Sequence, residues 1–215
     1  MKSLDLIHPL AEQYAGRNSS PMDPLLCEID EYTRKNHPEH HMLSGPLQGK
    51  LLEMLSCMIR PRRILEIGTF TGFSALCLAK GLTEDGRLHT IELRDPDAQL
   101  ARSFFDRSDR ADQIISHTGN ALDIIPELQE TWDLVFIDAD KPSYIQYFSL
   151  IFPQLRKNGF IFADNIFFHG QVLGEKVTGK SAKGIRDFNA FINDRTDIEK
   201  VVLTVRDGLY LIRKL

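Results

Sequence analysis

The run Arg63-Ile64-Leu65-Glu66-Ile67-Gly68-Thr69-Phe70-Thr71-Gly72-Phe73-Ser74 decides the fold. Ile64-Leu65-Glu66-Ile67 is mostly apolar and stops at a glycine, the pattern of a short buried strand. Gly68 and Gly72 then allow a tight turn with positive φ. Beyond Phe73 the chain reads Ser74-Ala75-Leu76-Cys77-Leu78-Ala79, free of Pro, Gly and β-branched residues and so suited to a helix. Strand, glycine turn and helix in that order open a β–α–β unit.

The same alternation continues outward from it. Strands are predicted over 63–67, 87–92, 113–117, 133–137 and 159–163, with helices over 73–80, 97–108, 121–128, 143–155 and 183–195. These strands are apolar along their length, so both faces are buried, as in a parallel sheet covered by helices. The pattern then changes. Residues 200–205 and 209–213 are two strands joined by Arg206-Asp207-Gly208, and Asp-Gly at such a joint predicts an antiparallel hairpin. Upstream, Leu47, Leu51, Leu55, Met58 and Ile59 follow a helical period that Pro61 ends. Residues 4–13 and 25–35 read as two short helices with a break at Asn18-Ser19-Ser20-Pro21. The predicted fold class is α/β, an open parallel sheet finished by a hairpin. One domain is expected over 1–215, with 1–46 as a helical extension.

Composition limits the function classes. A chain of 215 residues, 42% hydrophobic and 26% charged, can bury a core without disulfides or a structural metal. Lys and Arg number 26 against 30 Asp and Glu, and the net charge of −4 argues against a sequence-independent hold on nucleic acid or an anionic membrane. No apolar run approaches the roughly 18 residues of a membrane span. Met1-Lys2-Ser3-Leu4-Asp5 lacks the apolar stretch of a signal peptide. Cys27, Cys57 and Cys77 form no Cys-x-x-Cys pair, and the last two sit among apolar residues and read as core positions. A cytoplasmic protein is expected.

In an open α/β sheet the ligand sits beyond the carboxyl ends of the strands. Phe70 stands where the second glycine of a dinucleotide loop lets backbone approach a pyrophosphate, which disfavours a pyrophosphate and leaves room for a nucleoside ligand without phosphates. Glu92 ends the second strand 20 residues after Gly72, the spacing at which an acid takes ribose hydroxyls. The fourth strand ends in Asp138-Ala139-Asp140-Lys141-Pro142 and the fifth in Asp164-Asn165. One strand-end Asp alone would read as a helix cap. Two, with an Asn, are hard oxygen donors suited to Mg²⁺, Ca²⁺ or Mn²⁺. A lysine beside such a cation is pushed toward its neutral form, so Lys141 can serve as a general base, although judged alone it reads as a surface lysine near a helix start. His37, His40 and His41 lack a fourth ligand for zinc and read as a solvated segment.

Glu66-x-Gly68-x-x-x-Gly72, Glu92, Phe136-Ile137-Asp138-Ala139-Asp140-Lys141 and Ala163-Asp164-Asn165 together resemble the cation-dependent O-methyltransferases. That family holds the catechol and caffeoyl-CoA O-methyltransferases and many small bacterial members, and the resemblance runs from about Met42 onward. It implies a Rossmann-like class I fold that uses S-adenosylmethionine (SAM), its seven-stranded, mostly parallel sheet in the order 3-2-1-4-5-7-6. By the same resemblance Glu66, Gly68 and Ser74 contact the methionine portion of the cofactor, and Thr69, Phe70 and Leu93 border it. Glu92 takes the ribose hydroxyls, Asn120 and Ala121 lie at the adenine, and Met42, Asp138 and Asp140 flank the rest. Asp138, Asp164 and Asn165 match the metal ligands, and Lys141 and Asp138 the catalytic positions. The implied acceptor is a small aromatic molecule with two adjacent hydroxyls, and the implied assembly a homodimer. Asp140 departs from the bulky aromatic of animal catechol enzymes, and Ile166-Phe167-Phe168 from the Trp of many bacterial relatives. Two rival readings remain: an NAD-dependent oxidoreductase, disfavoured by Phe70 and the hairpin, and a non-catalytic cofactor-binding module, which needs no base at Lys141.

Overall fold

The structure is a computed structural model that describes residues 6–215. Strands β1 (Arg63–Ile67), β2 (Arg87–Glu92), β3 (Ile114–Thr118), β4 (Trp132–Ile137) and β5 (Leu155–Asp164) run parallel. Strands β6 (Ile198–Leu203) and β7 (Leu209–Lys214) pair antiparallel, and β7 also pairs antiparallel with β5. All seven form one sheet in the order β3-β2-β1-β4-β5-β7-β6, the order the resemblance implies.

Helices cover both faces. On one side lie α2 (Pro24–Asn36), α3 (Pro46–Ile59), α4 (Phe73–Ala79) and α5 (Asp95–Phe105); on the other α6 (Ala121–Ile124), α7 (Tyr144–Ile151) and α8 (Lys180–Asn193). The two-residue period of β4 divides the core between them. Leu134 and Phe136 pack with Leu52, Phe73 and Phe105, whereas Val135 and Ile137 pack with Phe148, Ile151 and Phe188. Every one of these side chains is buried. Among the described residues no helix is long and apolar enough to cross a membrane.

Several boundaries depart from the sequence reading for local reasons. Part of the first expected helix, at Leu4 and Asp5, lies outside the described residues. The helix itself, α1 (Pro9–Arg17), begins later because His8 caps it, Nδ1 accepting from Leu10 N at 3.2 Å, and Pro9 fits a first helical turn. The helix expected over 143–155 ends at Ile151, and a 3₁₀ turn over Phe152–Gln154 passes straight into β5. Strand β5 therefore starts four residues before the predicted 159, its polar opening Arg156-Lys157-Asn158 exposed at the sheet's lower end. The hairpin loop runs over 204–208, longer than expected, with Arg206 and Gly208 both at positive φ. Cys77 is buried as predicted, but Cys57 is exposed. On α3 the buried face carries Gln48, Gly49, Leu52 and Ser56, while Met58 of the expected apolar stripe faces outward.

Candidate active site

The carboxyl ends of β1, β2, β3, β4 and β5 open onto a cavity of about 760 Å³, a size typical of small-molecule sites. Because β7 runs against β5, its first residue, Leu209, pairs with Asp164, the last of β5. The loop over 204–208 is thereby delivered to the same edge, and Arg206 and Asp207 join the cavity wall.

One half of the cavity is built on the glycine turn. Gly68 has φ 98°, and a Cβ there would lie 2.1 Å from the Asp138 carbonyl oxygen, so only glycine lets β1 and β4 end this close together. Phe70 holds an unusual φ of 50°. Its backbone N–H donates to Glu92 Oε2 at 2.7 Å, and Glu92 Oε1 accepts from Arg94 N at 3.0 Å. These charge-assisted bonds offset the strain of the turn and fix the carboxylate, which keeps lone pairs for a ligand. Asn120 caps α6 through Leu122 N, and both Asn120 and Ala121 line the cavity. Thr69, Ser74, Leu93 and Met42 also lie on the wall.

Glu66 is placed behind that wall. It is fully buried, and its Oε2 accepts from Thr90 Oγ1 at 2.5 Å. Burial pushes its pKa up to about 8 against the lowering hydrogen bonds of Ser74 and Thr90, with the nearby charges of Asp138 and Glu92 adding to the rise. Among the described residues its Oε1 has no hydrogen-bond partner.

The other half gathers the strand-end acids. Lys141 Nζ donates to Asp138 Oδ1 and to Tyr144 Oη, each at 2.8 Å. Tyr144 is fully buried, its hydroxyl 3.2 Å from Ile137 O and 3.1 Å from Asp164 O, so it anchors the lysine to two strand ends at once. Burial pulls the Lys141 ammonium down, but Asp138, with Tyr144 and Asp164 behind it, overrides this and holds it above the ordinary lysine range. Asp140 accepts from Ser143 Oγ at 2.5 Å and from Tyr147 Oη. Asp164, 2% exposed, accepts from Gln48 Nε2 at 2.7 Å and Asn165 N at 2.8 Å. Burial, then the charge of Asp138, pushes its pKa up to about 7. Asn165 adopts φ 57°, which Asn tolerates, and reaches the wall.

The chemistry of this set fits a hard divalent cation. Two carboxylates near enough to repel each other are followed in the chain by Asn165, whose side chain offers an amide oxygen at the cavity wall. Among the described residues no group of three or more His, Cys, Asp or Glu side chains is arranged to hold a metal, so the set here is two carboxylates with an amide.

Residues 17–215 match the model of the O-methyltransferase family. The chain belongs to that family. A catechol O-methyltransferase of Niastella koreensis is 38% identical over 163 residues, covering 74% of each chain. Among solved structures, the SAH-bound methyltransferase PaMTH1 of Podospora anserina superposes with a TM-score of 0.89 at 28% identity, over 96% of this chain and 94% of the other. The O-methyltransferase TomG of Streptomyces achromogenes, in complex with SAM, gives 0.87 at 31% identity, over 95% and 96%. As an O-methyltransferase this chain is an enzyme, which sets aside both rival readings.

The methyltransferase brings together most of the residues singled out in its sequence; only Glu66 and Asp164 sit behind the wall instead of on it. The sequence reading missed Gln48, Tyr144, Tyr147, Arg206 and Asp207. Only the last two carried a local signal, the turn residues of the hairpin. His37 also differs from its solvated reading. Its Nδ1 accepts from Glu39 N at 3.1 Å, so Nε2 donates to Asp97 Oδ1, also at 3.1 Å, and its ring meets Phe70 edge-on at 4.6 Å.

Proposed function

We propose that this methyltransferase transfers the methyl group of SAM to one hydroxyl of a small aromatic acceptor bearing two adjacent hydroxyls. A divalent cation such as Mg²⁺ would be held by Asp138, Asp164 and Asn165. The carrying observation is the bond of Lys141 Nζ to Asp138 on the wall of one cavity that Asn165, Glu92 and Asn120 also line, with Asp164 buried directly behind that wall. The SAM complex of TomG and the catechol named for the Niastella koreensis relative support the same reading.

The acidic wall of Glu92, Asp138 and Asp140 suits a sulfonium cation and repels phosphates. Glu92 accepts from the ribose hydroxyls with the lone pairs left free by Phe70 and Arg94, and Asn120 and Ala121 border the adenine. A bound cation supplies positive charge that lowers the pKa of an acceptor hydroxyl and, by repulsion, that of Lys141. Lys141 Nζ, held in place by Tyr144, takes the proton that the acceptor oxygen loses as it bonds to the methyl carbon. The carbon–sulfur electron pair leaves with sulfur. Holding the two reactants in line in one enclosed cavity removes most of the entropic barrier.

Residues 1–215 act as one domain in this reading. The extension over 1–46 shapes the acceptor end, since Leu6, Ile7, Glu12 and His41 line the cavity. Two copies pair as a homodimer. The decisive experiment is methyl transfer from SAM to a catechol with and without a chelator. Activity is expected to vanish on metal removal and return with Mg²⁺. Undiminished turnover in metal-free enzyme would remove the cation from the mechanism.

A further inference from the structure

We infer, resting on the reading of Asp164 as a metal ligand, that Gln48 is a positioning residue for the Asp164 carboxylate and that Arg206 sets the orientation Gln48 needs. Gln48 lies on α3, 116 residues from Asp164, and is 1% exposed. Its Nε2 donates to Asp164 Oδ2 at 2.7 Å, and its Oε1 accepts from Arg206 Nη1 at 3.3 Å. The same guanidinium nitrogen donates to Ser44 O, which ties the hairpin loop to the start of α3.

A glutamine amide has one donor end and one acceptor end. Reversed, it would set its carbonyl against a carboxylate and its NH₂ against a guanidinium, two repulsive contacts. Arg206 therefore selects the orientation in which the NH₂ faces Asp164. The second oxygen, Oδ1, accepts from Asn165 N at 2.8 Å, so one neutral donor on each oxygen fixes the plane of the carboxylate. Both oxygens keep a lone pair. No cation pairs directly with Asp164 among the described residues, whereas Asp138 is already matched by Lys141 at 2.8 Å. Asp164 thus keeps its direction without giving up its capacity to ligate.

Packing places the amide at this depth. A Cβ on Gly49 would come within 2.5 Å of the Phe73 ring, so the bare glycine lets α3 settle onto α4 and brings its neighbour over the end of β5. An apolar side chain of equal size would pack in the same space without the cost of burying an amide. The amide is there for its two hydrogen bonds. Outer residues that hold a ligand in this way typically change metal affinity by about 10- to 100-fold when removed.

The test uses the full chain with Gln48→Met, which keeps the volume and loses both bonds, with Arg206→Met, and with Arg206→Lys. Mn²⁺ binding is read from the spin-resonance signal of free Mn²⁺, and SAM binding by calorimetry. Gln48→Met is expected to weaken Mn²⁺ binding by about 10- to 100-fold with SAM affinity unchanged, and Arg206→Met to weaken Mn²⁺ binding by a smaller factor. Arg206→Lys, still a donor to Oε1, is expected to restore most of the loss. Wild-type Mn²⁺ affinity in Gln48→Met overturns the inference. Should that variant not fold, unchanged Mn²⁺ affinity in Arg206→Met, altered from a surface loop, overturns it equally. A wild-type protein that binds SAM but no Mn²⁺ refutes the cation reading itself, a distinct result.

Discussion

A Cβ at position 68 would fall well inside van der Waals contact distance of the Asp138 carbonyl oxygen, on a backbone with φ 98°. Gly68→Ala is expected to push the ends of β1 and β4 apart, costing on the order of 3 kcal/mol in urea denaturation and most of the SAM affinity. Lys141→Ala is expected to lower kcat by about 10²- to 10⁴-fold and to flatten the pH–rate profile, with SAM binding intact in calorimetry. Wild-type rates at every pH would remove the base. Glu66 gives a pH prediction whose sign is fixed by its burial. Its carboxyl titrates near 8 when folded, against 4.5 for the free group. Between those values the folded state holds a proton the unfolded state has released, so stability falls as pH rises from about 5 to 8. Glu66→Gln, which cannot titrate, should show a shallower decline in urea midpoint over that range. Gln48 and Tyr144 could not be found from sequence, because their roles exist only once α3, β4 and β5 are brought together; Asp138, Asp164 and Lys141 could, because strand ends announce themselves.

At the scale of elements, α2 and the residue that follows it reach the glycine turn through two contacts. Thr33 Oγ1 lies 3.1 Å from Thr71 Oγ1, and the His37 ring meets Phe70 edge-on while its Nε2 holds Asp97 of α5. His37→Ala removes the hydrogen bonds to Asp97 and from Glu39 N and the edge-on contact with Phe70; the Phe70 contact alone, about 1 kcal/mol, bears on the turn, and SAM binding is expected to weaken about fivefold. An unchanged Kd in calorimetry would reduce α2 to packing. Strands β1 and β2 were legible to the residue because glycine or a charged run bounds each apolar stretch. The start of β5 was not, because Arg156-Lys157-Asn158 reads as a turn, and only pairing of Leu155 with Trp132 makes it strand. Helix α3 was legible as a helix ended near Pro61, but its buried face was not, because the close approach to α4 sets Gly49 and Ser56 inward, leaves Leu51, Leu55 and Ile59 half-buried against the core and turns Met54 and Met58 outward.

That outward turn matters for the whole molecule. Met54 and Met58 are 55% and 75% exposed, and Cys57 between them is exposed as well. Met54, Cys57 and Met58 fall on one face of α3, the kind of grouping an association surface can use. With the homodimer proposed above, light scattering should give close to twice the 24.5 kDa chain mass. Met58→Glu, a charge set in the middle of that face, should halve it. A monomer in the wild type would withdraw the pairing.

The position of β7 has a consequence for how the enzyme is made. It follows every other strand in sequence yet sits between β5 and β6 in the sheet. While the chain emerges from the ribosome, β5 therefore presents an open edge, because only β7 can cover it. Arg206 and Asp207 reach the cavity by the same late event. A premature stop that deletes β7 would leave a sticky, inactive nascent product instead of a weaker enzyme, and quality control would meet it as an exposed sheet edge.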